Sequence, residues 1–335
     1  MTPIRSLESA KLAVGIIGAG SIVEDSHLPA LKVCDRASVA WIHDAKESRA
    51  AMLAVMYGIR PVAIDGLSAA LEGVDVCLLA VPYGARPAFI EMCASRGKAL
   101  YVEKPFATTL QEHERYCSLF PAHKLAVGYQ RRYYGIVDTL SSIITSGAFG
   151  RLRRIDFTQA HFHLKGGGGY LSSAAMAGGG VTIESAIHGL DQILLFTGAG
   201  DVRVLNTKIL HKDGIDYDTL FDSELTTTSG TVAVRCEISS LRNLGTRLEL
   251  HFERATVRCG LSHDATVEVS GDGSDTTFLL TQANGAATTV GGAFHCFWSD
   301  FLRAVATGED SRTLGVSSRL TTAWIEQIYR RMAVR

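Results

Sequence analysis

The chain has 335 residues, 47% hydrophobic and 20% charged, with 33 Lys or Arg against 34 Asp or Glu for a net charge of -1. That length supplies two domains with a sizeable core, and the balanced charge excludes the electrostatic footprint of a nucleic-acid or anionic-membrane binder. Seven widely spaced cysteines with no C-x-x-C pair predict reduced thiols in a cytoplasmic setting; no signal peptide, membrane span or metal-ligand cluster is expected.

Residues 12–17 are an apolar run of strand length, followed by Gly18-Ala19-Gly20 and, from Ser21, by helical spacing. The glycines are therefore predicted to turn a strand tightly into a helix. Such a turn lets Gly18, Gly20, Ser21 and Ile22 approach a pyrophosphate and aims the helix N-terminus at its charge. Val23 takes the place of a third glycine, which governs helix-strand packing more than phosphate contact. A second strand at 39–42 ends at His43-Asp44, about 24 residues past Gly20. At that offset a carboxylate holds the ribose hydroxyls of NAD and repels a 2′-phosphate, although Lys46 and Arg49 nearby soften the repulsion and leave NADP as the alternative.

A short strand at 61–64 comes next, then a continuous apolar run at 74–81, the pattern of a strand buried on both faces, broken by Pro82-Tyr83-Gly84. A helix over 87–96 is predicted to end at Gly97 in a left-handed cap, and 99–102 is the next strand. It ends at Glu103-Lys104-Pro105, one Rossmann half downstream of the glycine turn, where a lysine can reach a bound dinucleotide; Pro82 and Glu103 are placed at the cofactor with it. Residues 125–128 close this alternating half, giving an expected Rossmann dinucleotide-binding domain over 1–125 and a second domain over 126–335.

From Arg151 the pattern changes to strands at 155–163, 202–210, 220–228, 231–239, 247–252 and 266–270 without intervening helices, which predicts an α+β domain on a largely antiparallel, open-faced sheet. Its strands carry enough apolar residues to pack the uncovered face against a second copy. Two late helices follow, one with Phe294, Phe297, Trp298, Phe301 and Val305 and one with Leu320, Trp324, Ile328 and Met332, aromatics expected in the core. Gly166 to Gly169 form a run that could hinge a loop.

Together, Gly18-Ala19-Gly20, Ala80-Val81-Pro82, Glu103-Lys104-Pro105, Gly147-Ala148-Phe149-Gly150 at the domain crossover, and Gly178-Gly179-Gly180 before a helix with His188 and Asp191 resemble one family over nearly the whole chain. This is the glucose-fructose oxidoreductase, inositol dehydrogenase and rhizopine-catabolism (Gfo/Idh/MocA) group of NAD(P)-dependent dehydrogenases. The resemblance implies an E-K-P lysine at the nicotinamide ribose and substrate, an Asp-x-x-x-His pair facing the hydride-transfer site, and homodimers or homotetramers. Here the pair is Glu184-x-x-x-His188, completed by Asp191; Ala186 replaces a common glycine, and Tyr83 and Arg86 stand where the family often has Asn and His.

The helix is also legible without the resemblance. Ile183, Ile187, Leu190 and Leu194 make an apolar face, and Glu184, His188 and Asp191 a stripe about 100° round, predicted to lie at a cleft edge. The alternative is a surface Glu-His pair worth only about 0.2–0.5 kcal/mol. Hydride transfer at a carbinol carbon needs one group that exchanges a proton near neutral pH and another that stabilises the developing oxyanion. His188 suits the first task and Lys104 the second; Glu184 would orient the imidazole or bind a substrate hydroxyl. Further candidates for the substrate are Arg132 and Tyr133, which match a family position near it, and His161, His163 and Lys165 before the glycine run; together they could hold a phosphate, diphosphate or carboxylate. Against this, Arg131 and Lys165 also fit solvated surface charges, and His161-x-His163 fits two side chains on one strand face better than metal ligands. The implied function is NAD(P)-dependent oxidation or reduction of a sugar, sugar derivative (nucleotide-linked ones included) or cyclitol. The rivals are a sugar-sensing regulator of the same fold, which would typically lack the lysine, and a reductase of a non-sugar carbonyl.

Overall fold

Two sheets organise the residues that the computed structural model describes, namely 11–162, 169–263, 265–271, 277–280 and 287–332. The first contains β1 Leu12–Ile17, β2 Ala37–His43, β3 Arg60–Pro61, β4 Val76–Leu79, β5 Ala99–Val102 and β6 Leu125–Val127. All its pairings are parallel, in the order β3-β2-β1-β4-β5-β6. The chain reverses direction of travel across the sheet between β1 and β4, so the loops leaving their carboxyl ends part and open a crevice. Every residue of β4 and β5 is buried, as a continuous apolar run between two helical layers requires. The strand expected over 61–64 is shorter. Pro61 has no N–H for a ladder and sits on the edge strand, and Ile64 already begins the helix Ile64–Glu72.

The helix Val290–Thr307 returns to this first sheet from far along the sequence. It buries Phe294, Phe297, Trp298 and Phe301 beside Val14, Ile16 and Tyr101, with the Tyr101 and Trp298 rings stacked at 4.9 Å. The first sheet therefore draws on both sides of the division expected after residue 125: β6 spans that point, and the helix 290–307 closes one face.

The second sheet holds β7 Leu152–Ala160, β8 Asp201–Lys212, β9 Ile215–Thr227, β10 Gly230–Ser239, β11 Gly245–Phe252, β12 Ala255–Cys259, β13 Val267–Gly271 and β14 Thr277–Leu280. Their order is β14-β13-β12-β11-β7-β10-β9-β8, antiparallel throughout except for the β7–β10 pair. The inward residues Val204, Phe221, Leu225, Val234, Leu248 and Leu250 are buried in one core with Ile187, Leu190, Trp324 and Ile328 of the covering helices Ile187–Thr197 and Arg319–Arg330. Trp324 places its indole N–H on Ser223 Oγ at 3.0 Å, so the buried donor is satisfied. The opposite face differs from expectation. Strand alternation sends the apolar residues to the helices and leaves outward the ion pairs Arg203–Glu224, Arg154–Asp156, Arg235–Asp222 and Arg258–Glu249. It is mostly a charged face. No helix among the described residues is long and apolar enough to cross a membrane.

Candidate active site

Both halves of the chain line one cleft of about 870 Å³. At one end is the glycine turn. Gly18 has φ +111°, and a Cβ on it would meet the Ala80 carbonyl oxygen at 2.3 Å, so no other residue lets β1 turn this close to the end of β4. At Gly20 a Cβ would meet nothing within 4 Å: the space above the turn is open to a ligand backbone. Ser21 and Ile22, which start the helical segment, line the cleft, and Val23 is fully buried beneath them. Asp44, at the end of β2, accepts the Ala19 N–H on Oδ2 and the Lys46 N–H on Oδ1, both at 2.7 Å. It fixes the glycine turn while facing the same space. An open glycine turn with a carboxylate beside it fits the pyrophosphate and ribose of a dinucleotide.

β5 delivers Glu103-Lys104-Pro105 to the middle of the cleft. Glu103 borders the cleft, but its carboxylate is turned inward. Trp298 Nε1 donates to His27 Nδ1 at 3.2 Å, and His27 Nε2 lies 2.9 Å from Glu103 Oε1. An indole can only donate, so Nδ1 accepts and the ring proton sits on Nε2, aimed at the carboxylate. Tyr101 Oη donates to the same oxygen at 3.2 Å and the Lys104 N–H to the other at 3.2 Å. Burial pushes the Glu103 carboxyl up, and His27, Lys104 and Arg86 together more than reverse this, holding it below its ordinary value. Expected at the cofactor, this carboxylate instead anchors the turn that carries Lys104. Arg86 does the rest: Nε donates to the Val81 carbonyl at 2.9 Å, Nη2 to that of Lys104 at 3.2 Å, and Nη1 to those of Glu103 and Pro105. Burial lowers this guanidinium to about 10.

Lys104 Nζ reaches across to the second half and donates to the Glu184 carbonyl at 2.5 Å. Glu184 lies in a π-helical turn, Thr182–Ala186, which runs into the α-helix Ile187–Thr197. Asp216 of β9 caps that turn: Oδ1 accepts the Gly180 N–H at 2.6 Å, Oδ2 accepts the Thr182 N–H at 2.9 Å, and Tyr329 Oη donates to Oδ1 at 2.7 Å. A carboxylate there satisfies orphan N–H groups and complements the helix dipole. One turn on, His188 is buried with its ring edge-on to Tyr129, centroids 6.1 Å apart. Its Nδ1 is enclosed without a hydrogen-bond partner among the described residues, so Nε2 is the nitrogen open to the cleft. Burial above all, then the cations Arg131 and Lys104, push the imidazole well below its ordinary value, leaving a neutral ring at neutral pH. Burial likewise lowers Lys104; Glu184 and Glu103 hold its proton on, while Arg131 and Arg86 oppose them.

Gly20, Ser21, Ile22, Asp44, Pro82, Glu103, Lys104, Glu184 and His188 all line this cleft, and Gly18 lies under it against Ala80. Three expected substrate residues do not. Arg132 and Asp191 are 2% and 1% exposed and hold each other. Arg132 Nη2 meets Asp191 Oδ1 at 2.6 Å and Nε meets Oδ2 at 2.7 Å, while Nη1 serves the Arg312 carbonyl and Ser317 Oγ. Tyr133 turns away too, donating to Asp300 at 2.5 Å. His163 and Lys165 fall outside the described residues; His161 meets Thr246 Oγ1 at 2.8 Å. In their place stands Arg131, the neighbour that sequence alone left as a surface charge. Residues 130–133 form a 3-10 turn, in which consecutive side chains point about 120° apart. One arginine enters the core and the other the cleft, and only the tandem itself signals that one of the two is available. Ser185 also lines the cleft, held by Gln159 Nε2 at 2.7 Å.

A dinucleotide-binding turn joined across one cleft to a buried histidine and a half-buried lysine and glutamate defines a two-domain nicotinamide-dependent oxidoreductase. The model of an oxidoreductase family with NAD-binding Rossmann fold matches residues 12–130, and that of the GFO/IDH/MocA C-terminal domain matches residues 137–258. The chain belongs to the Gfo/Idh/MocA family of NAD(P)-dependent oxidoreductases. It is 26% identical over 272 residues to an inositol 2-dehydrogenase of Rhizobium meliloti, spanning 77% of this chain and 79% of that one. Its fold matches aldose-aldose oxidoreductase from Caulobacter crescentus, solved with glycerol, at a TM-score of 0.82 and 19% identity over 96% and 97% of the two chains. It also matches an oxidoreductase from Agrobacterium radiobacter, solved with NAD+, L-tartaric acid and magnesium, at 0.79 and 21% identity over 97% of each chain.

Proposed function

We propose that this enzyme uses NAD in preference to NADP to interconvert a secondary alcohol and a ketone on a sugar, a sugar derivative, nucleotide-linked ones included, or a cyclitol. The observation that carries this reading is the convergence of Lys104, His188, Glu184 and Arg131 at one end of the cleft whose other end holds Gly20 and Asp44. Nicotinamide, when bound, takes up or supplies the hydride. His188 accepts the hydroxyl proton on Nε2 as an alcohol is oxidised and returns it in reduction; its neutral state readies it as the base. Lys104, steadied by the Glu184 carbonyl, places its ammonium on the substrate oxygen and stabilises the oxyanion. The Glu184 carboxylate and the Arg131 guanidinium bind neighbouring hydroxyls, and Arg131 suits an anionic substituent. Asp44 supports NAD, because a carboxylate at the ribose repels a 2′-phosphate. The polyol class rests on the named relative, an inositol dehydrogenase.

The same reading divides the chain near Gly128, after the last strand of the first sheet, with the substrate domain beyond it. Seven free thiols support a cytoplasmic location. Family membership supports a homodimer or homotetramer, and the charged outer face of the second sheet would give it a polar interface; light scattering should then show association that weakens as salt rises. Turnover of cyclitols, aldoses and sugar nucleotides with NAD+ and NADP+ tests the function. Activity on one of these classes that falls at least a hundredfold in Lys104→Ala is expected; activity indifferent to that change would overturn the assignment.

A further inference from the structure

Arg49 lies beside Asp44 at the adenosine end of the cleft and lines it. Taken alone, an arginine near the end of β2 is the residue that receives the 2′-phosphate of NADP. Its side chain is already engaged, however. Nη2 pairs with Glu24 Oε2 at 2.7 Å and Nε donates to the Ala19 carbonyl, within the glycine turn, at 3.2 Å. Glu24 belongs to the helical segment that the glycine turn opens, Val23–His27, and both side chains of the pair are about a third exposed, 36% for Arg49 and 29% for Glu24. The pair therefore forms at the lip of the cleft, where solvent or a phosphate can compete for the guanidinium.

We propose that Glu24 is a cofactor-specificity residue: by neutralising Arg49 it withholds from a 2′-phosphate one of the two cations, Arg49 and Lys46, that line the cleft beside Asp44. Asp44 then excludes NADP by repulsion and Glu24 by removing the compensating attraction, so discrimination rests on two carboxylates from two elements. This inference rests on the reading that the adenosine ribose lies at Asp44. A guanidinium released from Glu24 can present two parallel N–H donors to a phosphate, a stronger contact than one made at a distance through a neutralised pair.

The test is calorimetric binding of ADP and 2′-phospho-ADP, which share the adenosine 5′-diphosphate end and differ only in the 2′-phosphate, with Asp44 kept in every specificity variant. Glu24→Gln, near-isosteric and partly exposed, should improve binding of 2′-phospho-ADP relative to ADP on the order of tenfold; Glu24→Ser is a second variant if the first perturbs folding in a thermal melt. Adding Arg49→Met should abolish the gain. A ratio that moves by less than about twofold in both Glu24 variants, or a gain that persists without Arg49, overturns the proposal. Asp44→Ala separates the two readings. If ADP affinity is indifferent to it, the ribose placement fails and takes this proposal with it. If ADP affinity falls while the Glu24 variants leave the ratio unmoved, only the role of Glu24 is lost.

Discussion

Replacing Asp191 with alanine tests whether the helix that carries His188 is locked from behind or faces substrate along its whole polar stripe. Arg132 and Asp191 are almost wholly buried and joined by two parallel bonds of 2.6 and 2.7 Å, and Thr321 Oγ1 donates to Asp191 at 2.8 Å. Removing the carboxylate strands a guanidinium in the core, a change that costs about 3–5 kcal/mol. At roughly 2–4 °C per kcal/mol for a large domain, the midpoint should fall by about 6–20 °C. Thermal and denaturant unfolding of Asp191→Ala measure this directly. The double variant Arg132→Met/Asp191→Leu should recover most of the loss, because a buried ion pair and apolar residues of similar volume are often interchangeable. The pair ties the 130–133 turn to the catalytic helix, so turnover should fall in the single variant and return in part with the double. Were Asp191 a substrate ligand, its alanine variant would keep its stability within about 1 kcal/mol and show mainly a raised KM; that outcome would refute the reasoning.

Lys104→Ala should lower kcat by two orders of magnitude or more, on the order of 3 kcal/mol, with NAD+ affinity largely kept; near-normal turnover in steady-state assays would contradict the role given to the ammonium. His188→Ala should remove the acid limb of the pH-rate profile. Burial, Arg131 and Lys104 depress the imidazole, so that limb is expected below pH 6.5, with activity lost as pH falls and the base becomes protonated; an unchanged profile would end the mechanism. His113 hydrogen-bonds Thr322 Oγ1 and the Gly315 carbonyl, and burial lowers it to about 4. Its folded state resists a proton that the unfolded chain takes up near pH 6.5, so stability should decline as pH falls from about 6.5 to about 4, by on the order of 3 kcal/mol. His113→Gln should flatten that decline in denaturant titrations.

The strand-turn-helix at the glycines, the buried runs of β4 and β5 and the α+β second half were legible because each is a local pattern. Periodicity of two or of 3.6, a glycine that must take positive φ and a strand followed at once by a helix are all written within a dozen residues. What was not legible depends on which neighbour arrives from elsewhere. Nothing local says that Phe294, Phe297 and Trp298 cover a sheet whose last strand is more than a hundred and fifty residues earlier. Nor does anything local say that the outward positions of β8 to β12 are charged rather than apolar, because alternation fixes only that two faces exist and the covering helices choose between them. Glu103 is a similar case. Its place beside Lys104 suggested the cofactor, but His27 and Trp298, from two other parts of the chain, claim its carboxylate.

The departure with most bearing on chemistry is the winding of two helices. Helical spacing read from the sequence assumes an even α-turn, on which Glu184, His188 and Asp191 stack in one stripe. The chain instead winds as a π-helix at Thr182–Ala186 and again at Val23–His27, turns of a kind frequent at functional sites. The first ends just before His188, so Glu184 is rotated from the place an α-turn would give it, and the even α-winding that follows carries Asp191 into the core toward Arg132. The second brings His27 to Glu103. The E-K-P segment is thereby gripped from both sides, His27 on the Glu103 carboxylate and the Glu184 carbonyl on Lys104 Nζ. This also bears on the glutamate that stands where an aspartate is usual. Its contact with Lys104 is made through the main-chain carbonyl, which any residue supplies, so the side chain at 184 can differ in length without loosening the lysine.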